Sequence, residues 1–218
     1  MSRSFAGSSV GTKVLIAVTG LLLFVFLIGH LAGNLLVFVG PDAFNKYSDA
    51  LISNPLVIPM EIGLLLVVLV HIYKTVKMYL QNQHARPEPY AVKKWAGHSS
   101  RKTVGSSTMI VSGLITAVFI GVHLKQFKYG AWYEVTGTAV RDLYRTEVEV
   151  FQNPVWVAIY VVCMGLIYLH LRHGIASAFQ SLGAGDEFGK RMLRVGLVAA
   201  IVIGGGFAII PLFVYFAK

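Results

Sequence analysis

The chain has 218 residues, 56% of them hydrophobic and 13% charged, where a soluble domain carries roughly a quarter charged residues. Its formal net charge of +9 does not mark a nucleic-acid surface, because the basic residues sit in short stretches between long apolar runs, the arrangement of membrane loops. The single cysteine, Cys163, can neither close an intrachain disulfide nor hold an iron–sulfur cluster, which takes about four thiolates.

The N-terminal stretch Met1–Lys13 is too short and polar to precede a cleavable signal, and the apolar run behind it is about twice a signal core and lacks a small-residue cleavage site. It is expected to remain as a helix. Crossing about 30 Å of hydrocarbon takes about 20 residues of helix. In chain order Val14–Val39, Leu56–Tyr73, Thr103–Leu124, Phe151–Leu171 and Val195–Ala217 qualify, and only Leu56–Tyr73 holds a charged residue, Glu61. With flanking turns the spans run over 13–39, 56–80, 103–127, 152–179 and 191–217. Backbone groups in lipid must be satisfied within their own segment, so each run is read as a helix. The expected fold is all-α, a five-helix transmembrane bundle forming one domain over 1–218. The outer segment Lys125–Asn153 is expected to include a short amphipathic piece. No internal repeat, glycine-rich nucleotide fingerprint or separate soluble domain is evident, and Gln81–Ser100 is too short to fold alone.

The N-terminus, Lys74–Lys102 and Arg172–Arg194 together hold 13 of the 19 Lys and Arg residues. The positive-inside rule then places the N-terminus in the cytoplasm and the C-terminus outside, in the cytoplasmic membrane.

Of seven histidines, His84 and His98 fall in the inner loop and read as solvated. His30, His71, His123, His170 and His173 lie in or at the ends of spans, where an ionisable group is costly and signals function by default. At 1.5 Å per residue, His30 stands roughly 26 Å above Lys13 and His123 roughly 26 Å past Ser106, both near the outer side. On the inward-running helices, His71 is roughly 22 Å below Leu56 and His170 roughly 24 Å below Pro154, both near the inner side. Two imidazoles per level are too few for zinc, which takes three or four protein ligands, and suit a six-coordinate haem iron inside a bundle. Glycines beside the histidines, namely Gly29, Gly33, Gly121 and Gly174, are expected to admit the close approach that a haem plate needs. His173 shares the face of His170 one turn closer to the cytoplasm and reads as a group beside the haem rather than a ligand.

At these residues the sequence resembles the cytochrome b membrane-anchor subunit of succinate:quinone oxidoreductases (succinate dehydrogenase and fumarate reductase), in its single-chain, five-helix, dihaem form. The likeness covers nearly the whole chain and rests on TGLLLFVFLIGHLAGNLLVF, DAFNKYSDALISNP, HIYKTVKMYLQNQHARPEPYAVKK, SRKTVGSSTMIVSGLITAVFIGVHLKQF, DLYRTEVEVFQNPVWVAIYVVCMG, YLHLRHGIASAFQSLG and IIPLFVYF. It implies two b haems, an inner one on His71 and His170 and an outer one on His30 and His123. It also implies menaquinone as bound substrate, an iron–sulfur subunit, and a flavoprotein subunit with FAD where succinate is oxidised, none of that chemistry being on this chain. Arg101, Lys102, Arg172, Lys190 and Arg191 are candidates for the inner propionates, since anionic groups at the membrane surface need cations or donors. Neutral donors could come from Ser106, Ser107, Trp95 and Tyr73. Glu61, the lone intramembrane acid, is read either as a headgroup-level carboxylate or as a proton-handling group near the outer haem or quinone. The anchor of a membrane hydrogenase or formate dehydrogenase is the competing expectation, with the same haems and a different soluble partner. The number of copies per assembly, including any higher oligomer of the complex, is open.

Overall fold

The computed structural model describes residues 8–85 and 104–217, and among them the fold is all-α. The first helix, α1 (Ser9–Asn34), is capped by Ser8, whose side chain accepts from the Gly11 amide at 3.0 Å, and it runs on into a 3₁₀ turn, Leu35–Phe38. At Gly40 the backbone takes φ +128°, open to glycine at no steric cost, and Pro41 then starts α2 (Pro41–Ile52). The next helices are α3 (Val57–His84) and α4 (Val104–His123), the latter prolonged by a π-helical turn over Leu124–Lys128. After α5 (Leu143–Phe151), capped by Asp142, come α6 (Pro154–Ser181), capped by Asn153, and α7 (Asp186–Ala217).

Five helices are long and apolar enough to cross a membrane: Ser9–Phe38, Val57–His84, Gly105–Lys128, Pro154–Ser181 and Glu187–Ala217. Each overlaps its expected span and starts within about a turn of it. The main difference is at α3, which continues through His84 and brings that residue from the loop onto the exposed end of the helix. The outward faces carry large apolar side chains, among them Leu65, Leu66 and Leu69 on α3, the surface of a protein whose solvent is lipid. The chain is a multi-pass membrane protein.

Four spans form a ring. Helix α1 packs on α3 and α6, and α4 packs on the same two, so α1 stands diagonal to α4 and α3 to α6. Helix α7 lies outside the ring, packed most extensively on α6 and also touching α1. Lipid supplies no hydrophobic drive between helices, so close packing of small residues has to hold them. A Cβ on Gly204 would stand 2.9 Å from Tyr168 Cβ and 3.2 Å from the Met164 carbonyl, and one on Gly196 would stand 3.1 Å from the Arg172 carbonyl. Backbone cannot step aside as a flexible side-chain tip can. Gly204→Ala is therefore expected to cost about 1–3 kcal/mol, read as a lowered unfolding temperature in detergent. The adjacent Gly205, whose added Cβ would meet nothing within 4 Å, serves as control, and equal losses at both positions would refute the packing argument.

The connection between the first two spans, expected as a loop, contains the helix α2. It buries Phe44, Asn45 and Ser48 along one face, and α5 is the expected amphipathic piece, burying Tyr144, Glu147 and Phe151 at helical spacing. Asn45 joins the two: its amide donates to Asp142 Oδ1 at 2.8 Å, and its oxygen accepts from the Tyr144 backbone N–H at 2.9 Å. Phe44 and Tyr144 meet edge to face at 6.1 Å. This polar cover sits over one end of the bundle, since α5 also packs on α6 and α7.

Candidate functional site

The two diagonals of the ring carry the four intramembrane histidines: His30 on α1 faces His123 on α4, and His71 on α3 is diagonal to His170 on α6. His30 and His123 stand edge to face with ring centroids 5.7 Å apart. An imidazole nitrogen binds a metal at about 2 Å, so two rings on one ion have centroids roughly 6 Å apart. Aromatic rings wall this level. Phe26 stacks on His30 at 5.2 Å and Phe119 on His123 at 5.9 Å, and Phe207 from α7 and Phe127 complete the surround. The Tyr160 hydroxyl lies 3.4 Å from His123 Nδ1 and donates to Gln126 Oε1 at 2.7 Å, while Asn34 Nδ2 lies 3.4 Å from His30 Nδ1.

At the other level each histidine meets a hydroxyl of a neighbouring helix. Thr19 Oγ1 on α1 lies 3.0 Å from His71 Nδ1, and Ser112 Oγ on α4 lies 3.2 Å from His170 Nδ1. Thr19 and Ser112 each precede the histidine of their own helix by 11 residues. Eleven residues are close to three turns, so hydroxyl and histidine share one face about 16 Å apart along the axis. The two levels expected from counting along the spans therefore recur as contacts.

None of the expected glycines lies against an imidazole ring. Gly29 and Gly121 would meet nothing within 4 Å, Gly174 only the tip of Met109 at 3.9 Å, and Gly33 lies against Tyr47 of α2. A Cβ on Gly20 would stand 3.2 Å from His71 Cε1, and one on Gly113 would stand 3.3 Å from His170 Cε1. The physical reason is direction. Gly29 and Gly121 point elsewhere on the helix than the histidines that follow them, and room for the rings of His71 and His170 comes from the helices those rings cross to.

A sequence signal for these residues does exist. VTGLLLFVFLIGHL (Val18–Leu31) and VSGLITAVFIGVHL (Val111–Leu124) align without gaps, with the hydroxyl, the glycine, the phenylalanine one turn before the histidine, and the histidine itself at matching positions. This corrects the expectation of no internal repeat. It also explains why α1 and α4, across the ring from one another, present the same groups at the same heights. Tyr160, on α6, lies outside this repeat.

The donor set fits haem. Two imidazoles per level can occupy the axial positions of an iron whose remaining ligands come from a porphyrin. Among the described residues no three His, Cys, Asp or Glu side chains gather as a small-ion site requires.

The remaining candidates disperse. Glu61, in the second turn of α3, forms an ion pair with Lys128 at the end of the π-helical turn, tying the start of α3 to the end of the third span with both groups partly exposed. His173 is half-buried one turn beyond His170, and Arg172 is exposed on α6. Lys190 pairs with Glu187 on its own helix at 3.0 Å, well exposed, so its nearest anion is internal to α7. Exposed Tyr73 has Lys77 over its ring at 5.7 Å. Arg101, Lys102, Trp95 and His98 lie outside the described residues. On α5, burial pushes the Glu147 carboxyl up to about 8. Arg141, also buried, reaches the Ala131 carbonyl at 3.3 Å and stacks on Trp132 at 4.8 Å.

Compared with known proteins, the chain matches no family model, and no curated protein or solved structure matches it.

Proposed function

We propose that the chain is the membrane-anchor cytochrome b of a succinate:quinone oxidoreductase, carrying electrons between a cytoplasmic iron–sulfur subunit and menaquinone. His71 and His170 would hold the inner haem, and His30 and His123 the outer one. The observation that carries this reading is the placement of four imidazoles in two diagonal pairs, about 16 Å apart in height by helix rise, within a ring of four apolar helices. The sequence motifs around those residues carry the assignment to this family rather than to another cytochrome b anchor.

When bound, a b haem supplies a one-electron centre at each level. The protein's own residues do the rest. The aromatic wall of Phe26, Phe119, Phe127 and Phe207 keeps water from the outer level, which raises the cost of net charge there. The hydroxyls of Thr19, Ser112 and Tyr160 beside the Nδ1 atoms of His71, His170 and His123 would orient the ligands. The basic inner loops would face the cytoplasm, where the soluble subunits would dock, with His173, Arg172 and the Arg101–Lys102 pair available to the inner propionates. Glu61, held by Lys128 at the outer end, is the proposed proton-handling group. Glu61→Gln is expected to alter the pH dependence of quinone reduction, and an unchanged profile and rate would leave the carboxylate only its ion pair.

The deciding experiment is the visible spectrum of the purified full-length chain. Dithionite-reduced b-type bands with two haems per chain support the reading, and a haem-free preparation from haem-replete cells sinks it. Co-purification with a flavoprotein separates the succinate-linked anchor from that of a hydrogenase or formate dehydrogenase.

A further inference from the structure

We propose that Thr19 and Ser112 are positioning residues for the inner histidine pair: each hydroxyl accepts the Nδ1–H of the imidazole beside it, leaves Nε2 as the bare nitrogen, and through that bond sets the redox potential of the iron held there. The inference rests on the haem reading above.

Its basis is donor bookkeeping. A hydroxyl has one hydrogen to give. The Thr19 hydrogen goes to Leu15 O at 2.7 Å, so toward His71 Nδ1 at 3.0 Å the oxygen presents a lone pair, beside the Ile16 carbonyl, which also accepts from the His71 ring. Ser112 likewise has Met109 O at 3.2 Å for its hydrogen and His170 Nδ1 at 3.2 Å for its lone pair. A neutral imidazole carries one N–H, so a donating Nδ1 makes Nε2 the metal-binding atom. Ser112 is 1% exposed and Thr19 is 7% exposed, which leaves little room for solvent to take over the role.

The glycine after each hydroxyl completes the device. Gly20 and Gly113 put backbone where a side chain would strike His71 Cε1 and His170 Cε1. That carbon joins the two ring nitrogens, so a methyl group against it would swing Nε2 as well. The hydroxyl–glycine pair occurs once in each copy of the repeat, 11 residues before the histidine that the same copy supplies to the other level. One sequence pattern thus both ligates at one height and orients at the other. At the outer level the corresponding Nδ1 contacts are longer, 3.4 Å to Tyr160 and to Asn34.

A hydrogen bond from Nδ1–H lends the ring anionic character and favours ferric iron; removing the acceptor favours the reduced form. The test uses membranes containing the full-length chain with its haems, comparing Thr19→Val, Thr19→Ser and Ser112→Ala with wild type by haem content, midpoint potentials and the low-spin ferric EPR signals. Thr19→Val and Ser112→Ala are each expected to shift the same haem, the one lost in His71→Ala. At a fixed potential its reduced-to-oxidised ratio should rise roughly three- to tenfold, the range of one hydrogen bond, where tenfold is about 59 mV for one electron. Thr19→Ser should keep the native potential and EPR signal. Should Thr19→Val lose that haem altogether, retention in Thr19→Ser with the native potential supports positioning by the hydroxyl, and loss there as well overturns it. Unmoved potentials in a chain with both haems, or two variants that shift different haems, overturn the inference and leave the haem reading standing. A wild-type chain without haem overturns both.

Discussion

On the proposed dihaem reading, His71→Ala and His170→Ala are each expected to remove the same haem, and His30→Ala and His123→Ala the other, so that every single variant would fall from two haems per chain to one. The expectation follows from the diagonals of the ring. Adjacent helices touch along their length and could pair histidines at any height, whereas diagonal helices meet only through side chains that cross the interior. His30 and His123 do so with ring centroids 5.7 Å apart. The other pair sits against hydroxyls three turns below them on α1 and α4. A six-coordinate iron that loses one of its two protein ligands loses half of its attachment to the chain, and each level has no third donor among the described residues. Haem content and reduced-minus-oxidised spectra of the four variants read this directly. Double variants sharpen it: His71→Ala with His170→Ala should retain one haem, and His71→Ala with His30→Ala should retain none. Loss of the same haem from His30→Ala and His71→Ala would break the pairing. His84, exposed at the end of α3, provides a histidine variant expected to keep both haems.

Glu147→Gln is expected to stabilise the protein at alkaline pH and to make little difference at acid pH. The carboxyl is 3% exposed on α5, and burial raises it to about 8, against an ordinary value near 4.3. Below about pH 4 the group is neutral whether the protein is folded or unfolded. As the pH climbs, the unfolded chain ionises first, and the folded state loses ground until its own carboxyl ionises near pH 8; beyond that the deficit is constant. A gap of between three and four units corresponds to about 4–5 kcal/mol at most. Glutamine stays neutral throughout, so the variant's unfolding temperature should rise relative to wild type between pH 5 and pH 9. Parallel curves for the two proteins over that range would show that the carboxyl is solvated. The site is informative because α5 links the cover formed with α2 to α6 and α7, so the pH dependence reports on how firmly that cover is seated.

Much of this was legible in the sequence because lipid imposes one-dimensional rules. A backbone in hydrocarbon must satisfy its own hydrogen bonds, so five apolar runs had to be five helices, and each span begins within about a turn of where composition placed it. Height along a helix is a matter of counting, and counting sorted four histidines into two levels. The short amphipathic piece between the third and fourth spans was legible for the same reason, through the periodicity that α5 buries. The helix α2 was not read, because its mixed pattern DAFNKYSDALI is compatible with a polar loop until Asn45 has Asp142 and Tyr144 to bond.

What only the tertiary structure decided is which surfaces look at one another. Lys128 became the partner of Glu61 through the π-helical turn after α4, a change of helical pitch that no spacing rule anticipates. Gly20 and Gly113, not the glycines flanking the histidines, lie against the imidazole rings, and Thr19 and Ser112 stand beside their Nδ1 atoms. Depth in a membrane is set locally, by residue number and rise, and any single segment carries it. Azimuth is set by the neighbours against which a helix packs, and it exists only once the whole ring has closed.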